Sequence, residues 1–170
     1  KLFDRAVAEL GWSREKLYMT NAVKHFKYEP RGKRRMHKTP GQREVEACHH
    51  WLESEIELVQ PRAYIALGGT AARSLLGRPV AVMKERGQWI EEAQTGRRVL
   101  VTLHPSALLR GDPLQREAAW EAWLKDLSAA SELMKKAGTR RPAEKQPAAE
   151  KPAARRAASH ARRRVRMVME

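Results

Sequence analysis

A chain of 170 residues with 42% apolar residues is large enough for one α/β domain with its own core. Its formal net charge is +14, and the stretch from Lys135 onward holds 12 Lys/Arg against 3 Asp/Glu, a net of +9 that leaves +5 for residues 1–134; both parts favour a polyanionic partner, because cations that neutralise phosphates release condensed counterions. Cys48 is the only cysteine, which excludes an internal disulfide framework and suits a reducing cytosol, and neither a membrane-length apolar run nor a secretory leader pattern is visible, so a soluble intracellular protein is expected.

Leu2, Phe3, Ala6, Val7 and Leu10 recur at three- and four-residue intervals and predict an amphipathic helix that Gly11 stops. The chain opens inside that helix without an initiator methionine, so an upstream portion is expected. After a Ser13-capped turn, residues 18–23 are rich enough in β-formers to predict a strand. Lys24–Pro40 carries nine Lys, Arg or His and two prolines, and reads as a long basic surface loop. Gly41–Gln60 is the clearest helix, with Val45, Cys48, Leu52, Ile56 and Val59 on one face and Pro61 ending it. Ala63–Leu67, then Gly68-Gly69-Thr70, then an apolar stretch to Leu76 reads as strand, tight turn and helix; residues 79–98 read as irregular or as a small hairpin around Gly87 and Gly96. Val99–Leu103 is a third apolar strand with His104-Pro105-Ser106 at its end, and Asp112-Pro113 opens a last helix from Leu114 to about Lys136. Strands alternating with helices imply a three-layer α/β/α domain around a short parallel sheet over residues 1–136, with ligands at the carboxyl ends of the strands. Residues 137–170, Ala/Pro/Lys/Arg-rich and without periodicity, are expected to be a disordered basic tail.

Three groups of residues carry chemistry. At the end of the third strand Pro105 stiffens the turn, so His104 reads equally well as a stabiliser of a developing oxyanion or as a group satisfying a buried backbone atom, with Ser106 and nearby N–H groups able to hold a phosphate. In Lys33-Arg34-Arg35-Met36-His37-Lys38, four cations around one histidine disfavour its protonated form and favour a nucleophilic imidazole. Composition alone reads the same run first as a solvated face or a phosphate clamp. Cys48 lies on the apolar face of its helix, where a lone cysteine is usually a small buried hydrophobe; His25 reads as a loop histidine, and His49 and His50 as surface residues.

Thr20-Asn21-Ala22-Val23-Lys24-His25-Phe26, the Lys33–Pro40 run, Glu46-Ala47-Cys48, Ala66-Leu67-Gly68 before Thr70-Ala71-Ala72, and His104–Arg110 occur in an order and spacing that resembles UdgX-type uracil-DNA glycosylases of the iron–sulfur superfamily. The resemblance covers roughly residues 1–130, and the Lys-Arg-Arg-aliphatic-His insertion is its most specific part. Met36 and Lys38 stand where the family more often has isoleucine and glutamine.

The resemblance implies that Asn21 hydrogen-bonds the edge of a flipped uracil, that His104 stabilises the uracil O2, and that Ser106 and Arg110 grip the backbone near the lesion. Lys33, Arg34, Arg35 and Lys38 would bind DNA phosphate, and His37 would attack C1′ of the deoxyribose to leave a covalent adduct. Cys48 would ligate a [4Fe–4S] cluster, with His25 filling a position that related glycosylases give to cysteine. The implied setting is a monomer acting on uracil-containing DNA in a bacterial cytosol, near the nucleoid and away from membrane. The family's Gly-Glu-x-Pro-Gly segment, its uracil-stacking aromatic and its Cys-x-x-Cys pair do not occur in this sequence; Cys48 and His25 alone cannot hold four irons. This stretch by itself is therefore expected to be inactive or feeble beside its parent. Two alternatives stand beside this reading: a turning-over glycosylase in which His37 only binds phosphate, and a non-catalytic DNA-binding remnant.

Overall fold

A computed structural model describes residues 2–25, 27–32, 34–136 and 165–169, with the side chains of His37, Lys136, Val165, Arg166, Val168 and Met169 left aside. Helix α1 is Leu2–Glu9; it buries Phe3, Ala6 and Val7 and gives way at Gly11, whose φ is +63°. A 3₁₀ turn at Arg14–Lys16 leads into strand β1, Leu17–Asn21. Strands β2 (Tyr28–Arg31) and β3 (Arg34–His37) pair antiparallel about a turn at Gly32, φ +60°, so the expected basic loop is largely a hairpin. Turn chemistry explains the difference: Gly32 takes the left-handed backbone that a two-residue hairpin turn needs. The four residues of β2 are exposed.

Helix α2, Gln42–Val59, follows the expected span, with Val45, Cys48, Leu52 and Ile56 inward. The Glu44 carboxylate accepts the Gly41 N–H at 2.8 Å, satisfying one donor at the helix start. Beyond it come β4 (Tyr64–Leu67), α3 (Gly69–Leu76), the short α4 (Val82–Glu85), β5 (Trp89–Glu91), β6 (Arg98–Thr102) and α5 (Pro105–Arg110). A 3₁₀ turn at Pro113–Gln115 then opens α6, Arg116–Ser128. The expected single last helix breaks at Ala129-Ala130 and resumes as α7, Ser131–Lys136. At the break, the Ala129 carbonyl accepts the Trp89 indole N–H at 3.2 Å, which gives it a partner outside the helix.

Residues 165–169 form strand β7, which corrects the expectation of a wholly disordered tail; the remainder of that stretch, 137–164, lies outside the described residues. The five-stranded sheet runs β1-β7-β4-β6-β5, with β7 parallel to both β1 and β4, β6 parallel to β4, and β5 antiparallel to β6. The last strand in the chain therefore fills the position between β1 and β4, and Met167, opposite Met19 and Ile65, is fully buried. Isolated sequence carries no sign of this, because the segment gains its hydrogen bonds only from strands far away along the chain.

Alternation along the strands divides the core into two layers, as expected for α/β/α. Leu17, Ile65, Leu67, Leu100 and Met167 pack against Phe3 and Val7 of α1 and Trp120, Trp123 and Leu127 of α6. On the opposite face Tyr64, Ala66, Val99 and Val101 meet Leu52 and Ile56 of α2 and Ala71, Ala72 and Leu75 of α3. No helix among the described residues is long and apolar enough to cross a membrane.

Candidate active site

Parallel strands bring their carboxyl ends to one edge of the sheet. Asn21, Met169, Leu67 and Thr102 lie in one row across β1, β7, β4 and β6. Asn21 ends β1 with its side chain exposed, and His104 stands two residues beyond the end of β6. Three strand spacings, about 14 Å, separate those two strands. Gly68 lies between them at the start of α3 with φ +97° and ψ 170°, a backbone essentially confined to glycine, and its N–H bonds to the Thr102 carbonyl at 2.9 Å.

Asn21 is held from below. Lys24 Nζ donates to the Asn21 carbonyl at 2.7 Å and to Thr20 Oγ1 at 2.7 Å, and pairs with the Glu55 carboxylate of α2 at 2.9 Å. Thr20 Oγ1 in turn donates to Glu55 at 2.7 Å. The sequence did not reveal Glu55: it sits among other carboxylates on α2 and looks like any of them.

His104 is the N-cap of α5, with Pro105 at the first helical position. Its Nδ1 accepts the Ser106 backbone N–H at 3.1 Å and lies 2.8 Å from Ser106 Oγ. A backbone N–H can only donate, so Nδ1 bears the lone pair and the ring proton of the neutral tautomer resides on Nε2. Ser106 thus orients His104, and the histidine presents a donor. Of the two readings of His104 open in the sequence, the geometry bears on one: Nδ1 satisfies a backbone N–H, that of Ser106. Arg110 closes α5 in an exposed position. Leu109 of the same helix is 58% exposed, and Leu114 in the following turn is 90% exposed, two large apolar side chains held out into water. Sequence reasoning passed over them, since Leu-Leu-Arg at a helix end is unremarkable without knowledge of which face is buried.

The hairpin follows β1 directly and so arises from this same edge before α2 returns the chain to the start of β4. His37 ends β3 opposite Tyr28, with its side chain outside the described set; Lys33 is outside it altogether. Arg34 and Arg35 are exposed, and Arg35 stacks over the Tyr28 ring at 4.8 Å. Lys38 pairs with Glu29 across the hairpin at 2.6 Å, so its charge is partly compensated. Lys27 ties the hairpin to α2 through Glu44 at 2.5 Å.

Cys48 and His25 come together: Cys48 Sγ lies 3.5 Å from His25 Nδ1 and accepts the Lys24 backbone N–H at 3.4 Å. They line a cavity of about 300 Å³ with Val23, Lys27, Glu44 and Ala47. A sulfur with an N–H directed at it beside an imidazole is a suitable pair of soft donors. No group of three or more His, Cys, Asp or Glu that could hold a metal occurs among the described residues, so these two donors do not complete a cluster site. Cys48 is at the same time the small buried hydrophobe expected of its helix face, packed with Val23 and Val45.

The sequence model of the "Uracil DNA glycosylase superfamily" matches residues 1–128. The chain belongs to the uracil-DNA glycosylase superfamily. A Type-4 uracil-DNA glycosylase of Thermotoga maritima is 35% identical over 140 residues, covering 81% of this chain and 66% of the relative. A Type-4 uracil-DNA glycosylase of Pyrobaculum aerophilum is 33% identical over 123 residues, covering 69% of this chain and 59% of the relative. A Type-5 uracil-DNA glycosylase of the same organism is 38% identical over 95 residues, covering 54% and 37%. The chain therefore spans under two thirds of the length of these curated relatives. The superfamily match contains Asn21, the hairpin, Cys48 and His104, and stops before β7.

Proposed function

We propose that this domain carries the base-excising site of a uracil-DNA glycosylase, and that His37 captures the sugar. The observation that carries the first part is the paired presentation of Asn21 and His104 on one sheet edge, with His104 held as an Nε2 donor. Uracil has to leave the helical stack to reach such a site, at a cost of a few kcal/mol. Exposed Leu109 and Leu114 can fill the space the base vacates, as apolar wedges do between base steps. Arg34, Arg35 and Arg110 offset the cost by holding phosphate.

Cleavage of the C1′–N1 bond sends its electron pair to the base, so negative charge grows on uracil as cationic character grows on the sugar. The Nε2–H of His104 supports the charge on O2, and the Asn21 amide, able to donate and accept, reads the base edge. A His37 imidazole nitrogen then forms a bond to C1′, and the resulting imidazolium releases its ring proton to solvent. The product is a neutral alkylated histidine, a poor leaving group, which ends turnover. Cys48 and His25 supply two ligands of a [4Fe–4S] cluster whose role is to brace the start of α2 against the loop after β1.

A second reading is favoured by the Type-4 names of several relatives: a turning-over glycosylase in which His37 contributes only to phosphate binding. Incubation with a uracil-bearing oligonucleotide followed by denaturing electrophoresis separates the two. Trapping gives a protein band shifted by the mass of the oligonucleotide that vanishes in His37→Ala; free uracil without the shifted band supports turnover. An adduct that persists in His37→Ala, or uracil release that is unchanged in His104→Gln, would refute the proposed roles.

A further inference from the structure

Helix α6 holds the two residues that precede His104. The Asp126 carboxylate accepts the Thr102 hydroxyl at 2.5 Å, and the Trp123 indole N–H donates to the Leu103 carbonyl at 2.9 Å. Arg86 Nε fixes the same Asp126 oxygen from the other side at 2.7 Å. Thr102 and Trp123 are fully buried, and Asp126 is 8% exposed. The turn before β5 is shaped around this carboxylate: Gly87 has φ +74°, and a Cβ there would stand 2.8 Å from Asp126 Oδ1. Its N–H also bonds to the Val101 carbonyl at 2.8 Å.

Such a network is a poor way to gain stability. Taking an aspartate and an arginine out of water costs most of what their attraction returns, and apolar residues of the same volume often do as well. Arg86 Nη2 is moreover buried without a hydrogen-bond partner among the described residues, a further penalty. What the arrangement supplies is direction, since three hydrogen bonds from rigid elements fix a strand end that loop residues alone would leave free to rotate.

We propose that Asp126 is a positioning residue for His104, acting through Thr102 and seconded by Trp123 and Arg86, so that the imidazole meets the leaving base at a fixed place and with its proton on Nε2. The inference rests on the reading of His104 as the group that supports negative charge on uracil.

Thr102→Val is the cleanest probe, because Asp126→Asn would also leave Arg86 buried beside a neutral partner. In the full chain labelled with ¹⁵N-histidine, the His104 ring, assigned by its loss in His104→Gln, is expected to show one protonated and one unprotonated nitrogen. In Thr102→Val the two signals are expected to move together through tautomer averaging, while circular dichroism keeps the wild-type helix content. Thr102→Ser is expected to restore the wild-type pattern. Single-turnover uracil release is expected to fall about ten- to a hundred-fold in Thr102→Val, the scale of an ångström-size misplacement.

Unchanged ring signals and release in Thr102→Val overturn the proposal. If the ring responds as described but the wild-type chain releases no uracil, the positioning stands and the role of His104 in base release falls. If Thr102→Val fails to fold, Thr102→Ser and Asp126→Asn take the same two readouts, and wild-type ring signals in the folded Asp126→Asn overturn the proposal.

Discussion

Met167→Ala tests whether the end of the chain belongs to the sheet. Met167 is fully buried between β1 and β4 and packs in the core with Phe3, Ile65, Leu100 and Trp120. Truncating a buried methionine to alanine removes transfer energy and leaves a cavity, together about 2–5 kcal/mol. A domain of this size has roughly 5–15 kcal/mol in total. A loss of about 3 kcal/mol should lower Tm by roughly 10 °C. Thermal unfolding followed by circular dichroism at fixed protein concentration measures it, with Met36→Ala as the control. Met36 is 47% exposed on the hairpin, and its truncation should stay within about 0.5 kcal/mol of wild type. Deleting residues 165–170 should be more severe and abolish the cooperative transition, since β1 and β4 would then face each other across an empty strand position with unpaired backbone groups. Equal melting of Met167→Ala, Met36→Ala and wild type would show that β7 is not a strand of this sheet.

His104→Gln removes the oriented donor and should slow uracil release by about 10²- to 10³-fold under single-turnover conditions, with oligonucleotide binding nearly unchanged; a weaker affinity at constant rate would contradict the assigned role. Gly87→Ala forces an L residue to φ +74° and drives its Cβ onto a carboxylate already held by Thr102 and Arg86, and should cost about 1–3 kcal/mol in urea unfolding. The Lys27 ammonium, and after it the N–H groups at the start of α2, hold the Glu44 carboxyl below the usual carboxylate range. A depressed folded value means that the contribution of Glu44 is present above the ordinary carboxylate pKa and is lost as pH falls through the folded one. A ¹³C titration of the Glu44 carboxyl should show the low midpoint, and Lys27→Ala should move it up.

Much of the frame was legible from sequence because it follows from local periodicity. Helix α2 announces itself by apolar residues every three or four positions before Pro61, and the strand, Gly-Gly turn and helix from Ala63 to Leu76 by an apolar run meeting a residue that tolerates positive φ. His104-Pro105-Ser106 was likewise readable, since proline after a strand leaves a histidine at the mouth of a turn. Long-range pairing decided the rest. Val165–Met169 follows a stretch of Ala, Pro, Lys and Arg, and only contact with β1 and β4 makes it a central strand. Asp126 reads as one more charge on a helix until folding sets it against Thr102 and Arg86, and Cys48 and His25 become neighbours only when α2 folds back over the loop after β1. Backbone propensity and apolar spacing act over a few residues and are written in order along the chain, whereas a hydrogen bond between distant side chains exists only once the layers have packed.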